Sequence, residues 1–173
     1  VVLTAGGEIF TNLERGVIDA TEWVGPLHDL RMGFYKAAKF YYYPGWHEPG
    51  AYFEYFFNKK AFESLPKDLQ HIVNAACMES EVWALAQFEA QNGAALEELI
   101  TKHKVELVKF PDDVLIKLRK IAEEVNEEES AKSPIAKKTH ESFKKWQKVV
   151  GVWGTVSEKA YYDIIVPPYP LKA

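Results

Sequence analysis

Between Pro66 and Lys102 the chain runs with no second proline, and apolar residues recur at helical spacing throughout. Leu69, Ile72, Val73, Ala76, Trp83, Ala86, Ala90, Ala94 and Leu96 form one stripe; Met78, Val82, Leu85 and Leu99 form another. Pro66 suits the opening, because the N–H it lacks would be unpaired in a first helical turn. A helix of that extent is about 55 Å long at 1.5 Å per residue. A compact domain of about 100 residues has a radius of gyration of only about 13 Å. The helix must therefore brace two lobes or pair with a second chain, and the other elements have to be arranged around it. Gly93 weakens it by about 1 kcal/mol and is the expected bend.

Around this helix the pattern alternates between strand and helix. Val1–Ala5 reads as a strand and Glu8–Arg15 as a short helix, with Ile9 and Leu13 on one face and Gly16 as its C-terminal cap. Val17–Ala20 reads as a second strand, which makes a tight βαβ unit. One or two helical turns surround His28–Arg31. Phe40–Tyr43 is a strand closed by Pro44-Gly45, Tyr52–Asn58 is another, and a short helix spans Asn58–Leu65. Val105–Phe110 is a strand, and Pro111-Asp112-Asp113 opens a helix whose acids complement its dipole. Ser133-Pro134 ends that helix and begins the next, with Ile135, Phe143, Trp146 and Val150 facing inward. Gly151–Thr155 reads as a turn. Ser157 caps a last short helix to about Ile165, and the Pro167-Pro168-Tyr169-Pro170 tail cannot continue it. The class is α/β and helix-rich, without an internal repeat or a long linker.

The 173 residues suffice for one real core, and 47% hydrophobic with 27% charged residues is an ordinary globular composition. A net charge of −4 carries no nucleic-acid footprint, and no apolar run approaches a membrane span. Cys77 is the lone cysteine, so an intrachain disulfide is excluded, and its place in a helical pattern gives no sharp turn to present a nucleophile. His28, His47, His71, His103 and His140 are scattered and lack metal-ligand spacing. The Glu123-Glu124 and Glu127-Glu128-Glu129 run reads as a solvated helix face, with Lys137-Lys138 and Lys144-Lys145 as its basic counterpart.

Two stretches remain. Asp19-Ala20-Thr21-Glu22-Trp23-Val24-Gly25-Pro26 and Tyr41-Tyr42-Tyr43-Pro44-Gly45-Trp46-His47-Glu48 each set a carboxylate and an indole where an apolar strand meets a turn. Strand ends of this kind are where α/β proteins build ligand sites. A desolvated carboxylate there requires a cation or a ligand proton. The plainer reading is that both are hydrogen-bonded strand-end residues.

Together with Gly6-Gly7-Glu8-Ile9-Phe10, Leu13-Glu14-Arg15-Gly16-Val17-Ile18-Asp19-Ala20 and Phe62-Glu63-Ser64-Leu65-Pro66-Lys67-Asp68-Leu69-Gln70, these stretches resemble the second half of a DctP-type solute-binding protein, the extracytoplasmic receptor of a TRAP transporter. Glu-Trp in the first motif and Tyr-Tyr-Pro-Gly-Trp before Glu48 resemble the branch that binds 2-oxo acids and other small monocarboxylates. The resemblance implies the C-terminal half of a two-lobed type II periplasmic-binding-protein fold. Residues 1–173 would contribute to both lobes, with the long helix as brace and the N-terminal part and secretion signal absent. It implies a bound cation, Na+ or Ca2+, that bridges to the ligand. Glu22 would give a side-chain oxygen and Trp23 its backbone carbonyl, while Glu48 would lie in the ligand pocket. A glutamine and an arginine of the family site would come from segments outside this chain. Glu22 and Glu48 holding a metal ion would explain two acids in a receptor for anions. Trp46, and more weakly Tyr43, are placed as pocket walls by position and chemistry. Periplasmic location, TRAP membrane subunits as partners and a homodimer built on helices also follow from this reading. Two rivals stand beside it: an enzyme using Glu22 and Glu48 as an acid–base pair, such as a lyase or hydrolase, and a helical interaction protein.

Overall fold

The computed structural model describes residues 1–46, 48, 50 and 53–166. They divide into two compact units, Val1–Lys109 and the helices that follow from Phe110.

The first unit opens with α1 (Gly6–Glu14), which buries Ile9 and Leu13. Gly16 (φ +68°) takes the left-handed conformation just past the helix. Its N–H reaches Leu13 C=O, and Val17 N–H reaches Asn12 C=O at 2.8 Å. This pair of bonds is a Schellman closure, and it accounts for the expected strands on either side. Val17 and Ile18 both spend their N–H groups on Asn12 C=O, so Val17–Ala20 is irregular. Val1–Ala5 also forms no ladder, and Val1 and Leu3 stand fully exposed. The expected βαβ unit at the start is therefore not formed among the described residues.

Helix α2 (Pro26–Met32) starts after Gly25 and stops at Gly33, whose φ of +74° lets the chain turn into a 3-10 turn at Phe34–Lys36. Strand β1 (Phe40–Tyr43) follows and ends on a cis Tyr43–Pro44 bond. Phe53–Asn58 forms no strand, against expectation; Tyr52 lies outside the described residues. Phe53 stacks instead on Phe88, and Phe57 meets Phe62, so ring contacts rather than a ladder hold this segment. Asn58 caps α3 (Lys59–Glu63) by accepting from Ala61 N–H at 3.1 Å.

Helix α4 (Lys67–Thr101) is 35 residues long, close to the expected extent. Pro66 is its N-cap. Gln70, buried in the first turn, donates to Leu65 C=O at 2.8 Å and accepts from Lys67 Nζ, fastening the α3–α4 corner. Of the residues in the expected stripes only Leu99 is buried; Ala95 and Ile100, buried near the same end, lie outside both stripes, and Ala94 is exposed. Ile72, Met78, Val82 and Trp83 are more than 60% exposed, because no described element covers that part of the helix. Lys104, at φ +58°, turns the chain out of α4, and β2 (Glu106–Lys109) pairs parallel to β1 with Tyr41 opposite Leu107. A parallel pair needs a long crossover, and here α3 and α4 provide it.

The second unit contains α5 (Asp112–Ser130), α6 (Pro134–Val156) and α7 (Glu158–Ile164). Asp112 and Asp113 lie in the first turn of α5, and Ser133 caps α6 by accepting from Ala136 N–H. The expected inward residues Ile135, Phe143, Trp146 and Val150 are exposed in this unit. The acidic face of α5 meets its basic counterpart where Glu127 accepts from Lys144 at 2.6 Å and lies 3.3 Å from His140 Nε2. Gly151–Thr155 is helical rather than a turn, as α6 runs through both glycines. Ser157 stands at the α7 N-cap, but its hydroxyl donates back to Trp153 C=O and caps no N–H. The Pro167–Pro170 tail lies outside the described residues.

Candidate functional site

In parallel αβ units, ligands gather outside the carboxyl ends of the strands. Strand β1 runs from Phe40 to Tyr43, so the turn that carries Trp46 and Glu48 leaves its carboxyl end. The backbone closes tightly there: a Cβ on Gly45 would stand 3.2 Å from Glu48 C=O. Tyr43, Trp46 and Glu48 are all exposed, and His47 lies outside the described residues. By contrast, a cleft of about 160 Å³ lined by Tyr35, Lys36, Lys39, His103 and Lys104 opens at the amino ends of β1 and β2. None of the residues expected at the ligand site, Glu22, Trp23, Tyr43, Trp46 and Glu48, lines it.

Glu22 and Trp23 lie on the irregular segment that leads into α2, not at a strand end as expected. Glu22 is exposed, and its backbone C=O accepts from Thr21 Oγ1. The Trp23 ring rests on the first turn of α1, where a Cβ on Gly6 would fall 2.8 Å from the ring edge. This directs the indole to packing and leaves the backbone as the part of Trp23 suited to a ligand role.

What anchors the segment was not singled out from the sequence. Asp29, 8% exposed, accepts a 2.5 Å hydrogen bond from Tyr41 Oη of β1. Its Oδ1 is fully buried and makes no hydrogen bond of ordinary length among the described residues. Burial pushes the Asp29 carboxyl above the usual carboxylate range. The Tyr41 hydroxyl and the nearby amides of Val24 and Gly25 pull the other way, and the charge of Glu22 adds to the upward push. The same burial and the bond to Asp29 raise the Tyr41 phenol well above its ordinary value. On the far side of α2, Leu27 N–H donates to Asn92 Oδ1 at 3.1 Å, and His28 packs on Phe88 with ring centroids 4.9 Å apart. Helix α2 is thus fixed to α4 on one side and to β1 on the other. The signal available in the sequence was an acid three residues beyond Gly25-Pro26, in the first turn of α2.

The donors offered by Glu22, Trp23 and Glu48 are carboxylates and a peptide carbonyl, the set hard cations prefer. Glu22 and Asp29 are close enough for like charges to oppose each other, and a cation beside Glu22 relieves that opposition. The donor types match a hard cation, and among the described residues no group of three or more His, Cys, Asp or Glu side chains is clustered to hold one.

A family model described as "Bacterial extracellular solute-binding protein, family 7" (DctP) matches residues 3–133. The chain belongs to this family of solute-binding proteins. It is 39% identical over 161 residues to a monocarboxylate 2-oxoacid-binding periplasmic protein of Nostoc, covering 93% of this chain and 44% of the relative. The structure is similar to the crystal structure of a TRAP transporter solute binding protein from Bordetella bronchiseptica RB50, with a TM-score of 0.83 and 36% identity. That match covers 91% of this chain and 46% of the Bordetella chain. The Bordetella protein is described as a mixed occupancy dimer with copurified calcium and picolinate in its bound active site and a second, apo site. The helix-rich α/β fold is therefore that of a TRAP solute-binding protein, and the chain spans about half the length of the relatives it matches. No helix among the described residues is long and apolar enough to cross a membrane.

Proposed function

We propose that this chain forms the C-terminal half of a periplasmic receptor that captures a small monocarboxylate such as a 2-oxo acid and delivers it to the membrane subunits of a TRAP transporter. Residues 1–173 contribute to both lobes. A cation is held by the Glu22 carboxylate and the Trp23 carbonyl, with Glu48 at the pocket, and it bridges to the ligand carboxylate. Trp46, with Tyr43, walls the pocket and excludes water. The observation that carries this reading is a joint between α2 and β1: Tyr41 bonds to Asp29, which ties the helix that follows Glu22-Trp23 to the strand that precedes Trp46 and Glu48.

The step is binding and release, with no covalent change in the ligand. Closure of two lobes around the ligand supplies affinity and signals occupancy to the membrane. Calcium is the ion to examine first, since it copurified with the Bordetella protein. The exposed apolar residues of α4 and α6 favour a homodimer with a helical interface. A monomer in light scattering of the full-length receptor at tens of micromolar would remove the dimer. Native mass spectrometry of that receptor, purified without added ligand, tests the function. A mass excess equal to one small carboxylate plus one cation supports it. Steady turnover of 2-oxo acids, with no retained mass, would favour the acid–base enzyme.

A further inference from the structure

We infer that Asp29 and Tyr41 are positioning residues for the cation-binding segment, joining the Glu22-Trp23 loop to the end of β1 so that both halves of the site are set before ligand arrives. The inference rests on the proposed role of Glu22 and Trp23.

Three observations carry it. Helix α2 begins four residues after Glu22, and its N-cap is Gly25, which has no side chain to hold its own helix start. Asp29 is nine-tenths buried one turn into the helix, where a carboxylate is costly unless fixed for a purpose. Its partner, Tyr41, lies two residues before the strand end from which Trp46 and Glu48 follow. The 2.5 Å bond is in the range of charge-assisted O–H···O contacts. Asp29 therefore ties the helix after Glu22-Trp23 to the strand before Trp46, twelve residues along the chain, without itself being placed at ligand or cation. Preorganisation of this kind raises affinity by removing ordering cost from the binding step.

The test compares four full-length receptors: wild type, Tyr41→Phe, Asp29→Ala and the double variant. Each is titrated calorimetrically with pyruvate in the presence and absence of calcium, well below its melting temperature. Tyr41→Phe keeps the ring and removes only the hydroxyl, so it is the variant expected to fold like the parent. Its Kd should rise about tenfold, as for a lost charge-assisted hydrogen bond, while binding keeps its full dependence on calcium. The double variant should be no worse than the poorer single one, because both remove one shared contact. In the ligand-free protein, hydrogen exchange at Val24 and Gly25 should quicken in Tyr41→Phe. Glu22→Gln serves as the control and should blunt the calcium dependence itself. A Tyr41→Phe receptor with lowered melting temperature but unchanged Kd and exchange would overturn the inference and leave the cation reading standing. A Glu22→Gln receptor with unchanged affinity and calcium dependence would remove the cation reading, and the inference with it.

Discussion

Trp23 illustrates how one residue divides its work. Its ring lies over Gly6, and the space left by the absent Cβ there is what the ring edge fills. Gly6→Ala sets two effects against each other. Alanine raises helix propensity by at most about 1 kcal/mol, while overpacking costs about 1–3 kcal/mol. The ring must move, so net destabilisation of about 1 kcal/mol is expected, with weaker ligand binding as the Trp23 backbone shifts. Denaturant melts and calorimetry check this, and a variant equal to the parent in both would show that the ring contact positions nothing. Asp29 makes a prediction in pH. Its folded pKa is raised from the ordinary 3.8 by burial. The folded state thus binds the proton more tightly than the unfolded chain, and Asp29's contribution falls as pH climbs from about 4 through the raised value. Asp29→Asn should flatten that decline in melts from pH 4 to pH 8, and an unaltered slope would show that another group controls it. Trp46, at 44% exposed, has little core to lose. Trp46→Ala should therefore leave the melting temperature within a few degrees while costing about 2–4 kcal/mol of affinity, as buried aromatic anchors at binding sites do.

At the scale of elements, helices were legible in the sequence and strands were legible only where a partner exists. The run from Pro66 to Lys102, the Gly16 cap and the Ser133-Pro134 boundary are local devices, set by residues within one turn, and each appears where the pattern puts it. A strand is different, because its hydrogen bonds are made elsewhere. Phe40–Tyr43 pairs with Glu106–Lys109, whereas Val1–Ala5, Val17–Ala20 and Phe53–Asn58 have strand-like composition but form no ladder with any described residue. Val17 and Ile18 show the reason most clearly, since the helix closure claims their amides first. Gly151 and Gly154 suggest a turn, but a glycine costs only about 1 kcal/mol in a helix, and α6 continues through both. Residue type and spacing draw attention to the motif carboxylates but not to Asp29, because a buried acid is defined by what packs on it. Ser133→Ala should destabilise α6 by about 1 kcal/mol through loss of the Ala136 cap bond. Circular dichroism melts check this, and a stability equal to wild type would show that the cap contributes nothing.

For the whole molecule, family membership and fold fix the kind of protein, and the Asp29–Tyr41 bond fixes α2 to β1 in its first unit, next to the segment on which the proposed cation site rests. The exposed faces of α4 and α6 indicate that this half was shaped to be covered. They do not bear on the proposed chemistry, in which Glu22 holds the cation. The most direct measurement is a calorimetric titration of the full-length receptor with pyruvate, before and after calcium is removed by chelation, in wild type and in Glu22→Gln. With a cation bridge at Glu22, chelation should weaken wild-type binding, calcium should restore it, and Glu22→Gln should bind weakly with little response to calcium. Equal affinity in all conditions, with Glu22→Gln indistinguishable from wild type, would contradict that bridge.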